Sequence, residues 1–146
     1  MEKLHGILNK QVANFSVLFT KLHNHHWYVR GLEFFRLHEL FEEYYDEVNE
    51  LYDEFAERLL TIGGKPASTL KEYLDLTSLK EATKKELKSE AMVADVLADF
   101  ETIIGELKDG VTIAQELGDE ETADLFISTT AALEKHAWML RFALNK

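Results

Sequence analysis

His38, Glu42, Asn49, Asp53 and Glu57 recur at steps of four and seven residues. On a helix such steps keep side chains on one stripe. Imidazole, carboxylate and carboxamide groups in a row are ligands for hard or borderline metal ions such as iron, manganese or zinc. Glu39, Glu43, Glu47, Glu50 and Glu54 form a second, wholly acidic stripe. At roughly 100° per residue it lies about 90° around the axis from the first. The same spacings also describe a solvated polar face on a bundle helix.

A long helix from Phe34 to Ile62 must carry both stripes. Its third face is apolar: Leu37, Phe41, Tyr44, Val48, Leu51, Phe55, Leu59 and Ile62 recur at three- and four-residue steps. His38 and Asp53 are 15 positions apart, or about 22 Å along an unbroken helix. One ion cannot use both from one copy, because ligands sit within about 2.0–2.6 Å of a metal. An antiparallel second copy, crossing between Glu47 and Val48, sets His38 opposite Glu57 and Glu42 opposite Asp53. The stripe complements itself about a two-fold axis, as isologous dimers require. Paired metal sites with ligands from two subunits are therefore expected.

The composition narrows the chemistry. The chain has 146 residues, 46% of them hydrophobic, which suffices for one domain, 1–146, with a real core. A single proline and seven glycines leave room for long helices. There is no cysteine, so disulfides and thiolate metal sites are excluded. No apolar run is long enough to span a bilayer and the N-terminus lacks a signal-peptide layout; a cytoplasmic protein is expected. The formal net charge of −11 opposes binding to phosphate backbones and favours attraction of cations.

In chain order, a first helix is expected from Lys3 to Val29. Leu4, Ile7, Leu8, Phe15, Leu18, Phe19 and Leu22 mark its buried face. His26 continues that face, whereas His23 and His25 point elsewhere. Gly31 breaks the chain before the second helix, and a short turn there lets His26 approach His38. Gly63-Gly64-Lys65-Pro66 ends the second helix. A long link follows, with a short helix from Thr69 to Leu76 and then a polar segment rich in Lys and Glu. The third long helix is expected from Ser89, as N-cap, to Leu117, with Gly118 closing it. The fourth runs from Glu120 to Leu144 with Asp119 as N-cap and Leu125 among its inward residues. His136 and Trp138 are expected to pack rather than ligate. Asp119, Glu120, Glu121 and Asp124 suit the positive end of a helix dipole. The whole reads as an all-α, ferritin-like four-helix bundle with a short helix in the long crossover between helices two and three.

Three segments carry a resemblance. They are His26-Trp27-Tyr28-Val29-Arg30-Gly31 with Leu37-His38-Glu39, then Tyr52-Asp53-Glu54-Phe55-Ala56-Glu57-Arg58 leading into Gly63-Gly64-Lys65-Pro66, and Glu134-Lys135-His136-Ala137-Trp138-Met139-Leu140-Arg141. In order and spacing the chain resembles the Dps family, the ferritin-like mini-ferritins, over nearly its whole length. The resemblance implies a hollow homododecamer with tetrahedral (23) symmetry and a ferroxidase centre at each two-fold interface, holding two irons. His26 and His38 would come from one subunit, Asp53 and Glu57 from the other. Glu42 stands where many members carry Asp, a longer arm on the second iron's side. The paired Glu-x-x-His motifs of ordinary ferritin di-iron sites are missing, since Glu2-Lys3-Leu4-His5 is the one match.

The resemblance further implies oxidation of Fe²⁺ by hydrogen peroxide and storage of the ferric product in the cavity. Trp27 becomes a candidate acceptor of stray oxidising equivalents. Glu39, Glu43, Glu47, Glu50 and Glu54 become candidates for mineral nucleation, and Asp119, Glu121 and Asp124 for an iron-guiding pore. Two other functions compete. One is DNA binding and compaction, expected to be absent because only Met1-Glu2-Lys3 precede the first helix, the chain stops at Asn145-Lys146 and the charge is strongly negative. The other is a structural bundle whose metal site is inactive or prefers zinc.

Overall fold

A computed structural model describes residues 1–83 and 87–146. Part of the Lys- and Glu-rich segment before the third long helix, residues 84–86, lies outside the described residues. Among the described residues all regular structure is helical: α1 Glu2–Tyr28, α2 Phe34–Thr61, α3 Leu70–Leu76, α4 Ser89–Glu116 and α5 Glu120–Ala143.

The side-chain bonds define how the helices run. Gln11 meets Glu106 while His25 meets Asp95, so α1 and α4 are antiparallel. Arg58 meets Asp119 while Glu47 meets His136, so α2 and α5 are antiparallel as well. Tight turns make α1 and α2, and α4 and α5, antiparallel pairs. Gly31 and Gly118 adopt φ of +102° and +72° in those turns, where a Cβ would be strained. α2 and α4 are then parallel and need the long crossover that the composition suggested. α3 lies within that crossover against α1.

One apolar cluster fills the bundle. Phe15, Phe41, Phe55, Phe100 and Phe126 are its largest fully buried side chains, contributed by α1, α2, α4 and α5. The crossover is tied down by polar groups. Asn14, fully buried, accepts from the Thr77 hydroxyl at 2.7 Å and the Ser78 amide at 2.9 Å. Its amide donates to Glu106 at 2.8 Å, and the Ser78 hydroxyl donates to the other Glu106 oxygen.

Several expectations shift by a residue or a role. Ser89 is the first helical residue of α4; Lys88 is the N-cap and makes no side-chain cap bond. α4 ends at Glu116, with Leu117 as cap and Gly118 beyond it. Leu125 is only half-buried, while Thr129 faces inward as expected and Thr130 joins it. Trp138, expected to pack rather than ligate, is 45% exposed in the single chain and meets Phe142 edge-on at 5.6 Å. Thr69 caps α3, accepting from the Glu72 amide at 3.2 Å.

Asp119 does cap α5. Its carboxylate accepts from the Thr122 amide at 3.0 Å and from the Thr122 hydroxyl at 2.6 Å, and Arg58 on α2 donates to it at 2.9 Å. Partial desolvation works against the anion, but the Thr122 bonds and Arg58 outweigh it and hold the carboxyl below its usual range. A depressed folded-state pKa means the stabilisation is present above the ordinary value near 3.8 and disappears as pH falls below it. Asp119→Ala is expected to cost about 1 kcal/mol from the cap alone. The check is a denaturation midpoint measured at neutral pH and at pH 3 and below, where the difference from the parent should shrink.

Candidate metal centre

His26 sits in the last turn of α1 and His38 in the second turn of α2, brought together by the turn at Gly31. Their rings stack at 3.7 Å between centroids, 15° from parallel. Each ring bonds the other's main chain: His26 Nδ1 to His38 O at 2.7 Å, and His38 Nδ1 to His26 O at 2.8 Å. A carbonyl only accepts, so Nδ1 carries the proton on both rings. The carbonyl of His26 is free to take it because the helix ends there. Each Nε2 is therefore left with a lone pair in a fixed orientation, the arrangement that metal-ligating histidines use. Glu42 Oε1 lies 3.9 Å from His26 Nε2, with its side chain half exposed. His26 is buried and His38 half-buried.

Asp53 and Glu57 lie four residues apart and exposed, far along α2 from the histidines. They touch: the hydrogen bond to Asp53 and the repulsion of its charge hold the Glu57 carboxyl above its usual range. A cation between the two would relieve that repulsion. Among the described residues, no group of three or more His, Asp or Glu side chains converges on one point within the chain. His26 and His38, with Glu42 beside His26, thus lie at one end of α2, and Asp53 with Glu57 further along it. The separation expected from helical spacing persists in the fold.

The remaining candidates are dispersed. Glu39, Glu43, Glu50 and Glu54 are exposed along α2. Glu47 differs: it accepts from His136 Nε2 at 2.6 Å, bridging α2 to α5. His136 packs on Tyr44 and Phe100 as well, which fits a packing role. Burial and the charges of Glu47 and Glu43 push the Tyr44 hydroxyl far above its usual range. Glu121 and Asp124 are exposed at the start of α5, whereas Asp119 is already committed to its cap and to Arg58. Trp27 is 67% exposed and lies beside His23, not stacked on His26. Leu32 and Phe35 are also exposed near the histidines, at 101% and 80%.

His25 departs from the spacing. It is fully buried rather than turned away, and its Nε2 meets Asp95 at 2.8 Å. The reason is that α1 is covered by α2 on one side and α4 on another, so its buried face is wider than a single stripe. Lys21, one turn earlier, bridges Asp95 at 3.1 Å and Asp99 at 2.7 Å. Burial dominates at Asp99 and raises its pKa to about 6. Burial also opposes the Asp95 anion, but His25 and Lys21 outweigh it and lower that pKa. The signal available beforehand was a matched pair of four-residue steps, Lys21 to His25 and Asp95 to Asp99. A second unforeseen contact joins Tyr52 and Tyr73 through their hydroxyls at 2.5 Å, pinning α3 beside Asp53.

Comparison with known proteins agrees with this architecture. A family model described as a ferritin-like domain matches residues 6–146. The chain is 56% identical over 140 residues to DNA protection during starvation protein 2 of Bacillus anthracis, covering 96% of this chain and 95% of the relative. It is 50% identical over 144 residues to general stress protein 20U of Bacillus subtilis, covering 99% of each. Among solved structures, a Dps protein from Bacillus brevis superposes with a TM-score of 0.95 at 48% identity, covering 98% of this chain and 95% of that one. Dps from Listeria innocua soaked with zinc superposes with a TM-score of 0.95 at 41% identity, covering 98% and 97%. With a bundle matched end to end and identities this high, the chain belongs to the Dps family of ferritin-like proteins.

Proposed function

We propose that this protein oxidises Fe²⁺ at a centre shared by two subunits and stores the ferric product inside a hollow homododecamer. The observation that carries the reading is the reciprocal Nδ1-to-carbonyl bonding of His26 and His38. It leaves the Nε2 atoms of two stacked rings as acceptors, with Glu42 Oε1 3.9 Å from one of them. The carboxylates of the partner's Asp53 and the partner's Glu57 complete the set across a two-fold axis, by the antiparallel register of α2. The exposed Trp27, Leu32 and Phe35 then supply an apolar rim that a second copy covers. Glu42, 3.9 Å from His26 Nε2, holds the second Fe²⁺ in this reading.

In this reading Fe²⁺ is substrate. Neutral imidazoles and charged carboxylates bind it, and their fixed geometry removes the cost of ordering the ligands at each turnover. Hydrogen peroxide is the proposed oxidant. Two Fe²⁺ at one centre give two electrons, peroxide takes them with two protons, and two waters leave. Paired delivery avoids release of hydroxyl radical, and Trp27 takes up oxidising equivalents that escape. Glu39, Glu43, Glu50 and Glu54 line the wall where mineral nucleates; Glu47 joins them only by leaving His136. Glu121 and Asp124 guide Fe²⁺ through a pore by their charge, with Asp119 anchoring the helix behind them. The location fitting such protection is the cytoplasm; among the described residues no helix is long and apolar enough to cross a membrane.

The test is a crystal of iron-soaked protein with anomalous scattering at the iron edge. Density between His26, His38 and the partner's Asp53 is expected. Zinc bound there with no iron uptake in solution would instead favour a structural site.

The names of the relatives favour DNA binding as a second reading. The net charge of −11 opposes it, since such affinity comes from Lys and Arg neutralising phosphates. No gel shift of linear duplex DNA is expected at physiological salt without divalent ions, and a tight shift under those conditions would restore the second reading.

A further inference from the structure

The polar group buried between α1 and α4 carries an excess of negative charge. Asp95 and Asp99 stand one turn apart on α4 and share one ammonium, that of Lys21, at 3.1 and 2.7 Å. Lys21 and Asp99 are both buried. His25 on α1 does not balance the second carboxylate. Its Nε2 meets Asp95, and among the described residues its buried Nδ1 has no hydrogen-bond partner. A ring protonated at both nitrogens would bury an N–H without an acceptor. With the ring neutral, two carboxylates face one cation and one negative charge is left uncompensated. Phe41 covers His25 from α2 and adds no charge. Beside Lys21 lies a cavity of about 330 Å³ between α1, α3 and the crossover. Its further titratable groups are Tyr73, whose hydroxyl is bonded to Tyr52, and Glu81, an exposed acid. Its exposed rim, at Leu70 and Glu81, gives a proton a way in from solvent.

We propose that the Lys21–Asp95–Asp99 cluster is a proton-operated latch between α1 and α4: in mild acid Asp99 takes up a proton from solvent, the uncompensated charge disappears, and the seam opens less often. Two carboxylates sharing one partner away from water do not both ionise at the ordinary carboxylate pH; one keeps its proton to a higher pH. Asp99 is that one. Asp95 is bonded by both His25 and Lys21 and is half-buried, whereas Asp99 pairs with Lys21 and lies deeper. Burial, opposed by Lys21, holds its carboxyl up at about 6. A carboxyl raised above its ordinary 3.8 binds more protons folded than open. Its contribution is therefore fully present in acid and is lost as pH rises through about 6. The sign is opposite to that of Asp119, whose stabilisation is lost in acid. For this one group the seam should open about tenfold more at pH 7.5 than at pH 5. The latch does not depend on the iron-oxidation reading.

The experiment follows hydrogen–deuterium exchange of the metal-free full chain by peptide mass spectrometry at pH 7.5 and pH 5, corrected for the intrinsic pH dependence of exchange. Peptides from the α1 turns around Lys21 and the α4 turns around Asp99 report the seam. In the parent these peptides are expected to open more at pH 7.5, by the factor given above. Asp99→Asn keeps the shape and an acceptor for Lys21. It is expected to be better protected than the parent at pH 7.5 and to lose most of the pH dependence. An ordinary buried ion pair predicts the reverse, since removing one partner would loosen the seam at pH 7.5. Exchange in Asp99→Asn equal to or faster than in the parent at pH 7.5 overturns the proposal. Should that variant fail to fold, infrared spectra of the parent decide. With the aspartate carboxyls isotope-labelled, which sets Glu57 apart, the carbonyl stretch of a protonated aspartic acid should grow as pH falls through about 6. Growth of that band only near the ordinary value of 3.8 would equally rule the latch out.

Discussion

Asp53→Ala and Glu57→Ala are each expected to abolish rapid peroxide-dependent oxidation of Fe²⁺ while the assembled shell survives. Both side chains are exposed in the single chain, so the bundle loses no packing when they are cut back. The loss in initial rate should equal or exceed the roughly 10–100-fold that removal of an outer-shell partner costs a metal site. Stopped-flow absorbance after mixing Fe²⁺-loaded protein with peroxide measures it, and size-exclusion chromatography checks the assembly. Unchanged kinetics in both variants would sink the site assignment.

The sharing of ligands has its own arithmetic. In the proposed arrangement each two-fold interface would hold two centres, and each centre would take imidazoles from one chain and carboxylates from the other. His26→Ala and Asp53→Ala subunits are each expected to be inactive when assembled alone, and are then co-expressed. In a random mixture, half the dimers are mixed, and each mixed dimer has one intact centre. About a quarter of the parent rate should therefore return, from symmetry alone. A centre built within one subunit predicts no recovery.

Phe55→Ala is expected to have the largest effect on stability, and through it on activity. Phe55 lies on α2 between Asp53 and Glu57 but on the opposite face. It is fully buried, edge-on to Phe15 at 5.1 Å and stacked on Phe126 at 5.7 Å. Truncation removes the aromatic contacts and leaves a cavity between α1, α2 and α5. The cost is about 3–5 kcal/mol. At fixed protein concentration the thermal midpoint should fall by on the order of 10 °C. Oxidation should weaken too, because the helix that aims both carboxylates loses its main anchor. A midpoint within about 2 °C of the parent would mean that this site collapses around the missing ring. Together with Asp53→Ala, this variant separates the two faces of one helix: loss on the polar side removes chemistry, and loss on the apolar side removes the scaffold.

Much of this was legible in the order of residues. Periodicity alone located α2 to within a residue, since an apolar stripe of three- and four-residue steps leaves little choice of period. The 15-residue gap between His38 and Asp53 already kept the two from meeting within one chain, because helical rise is a constant of the backbone. Glycines at Gly31 and Gly118 announced the turns through their tolerance of positive φ.

What the order of residues left open depended on contacts between distant segments. The buried His25, Lys21, Asp95 and Asp99 group exists only where α1 meets α4, some 70 positions away in the chain for His25 and Asp95. A stripe analysis of α1 alone assigns His25 to a different face, since it has no knowledge of a second covering helix. Asp119 looked available for guiding iron, and only the approach of Arg58 from α2 showed that its carboxylate is committed. Likewise the tautomer of His26 and His38 follows from two carbonyls that the fold, not the spacing, sets beside them. Local periodicity therefore decided which residues share a face. The packing of helices against one another decided which of those faces are occupied and which lone pairs remain free to bind.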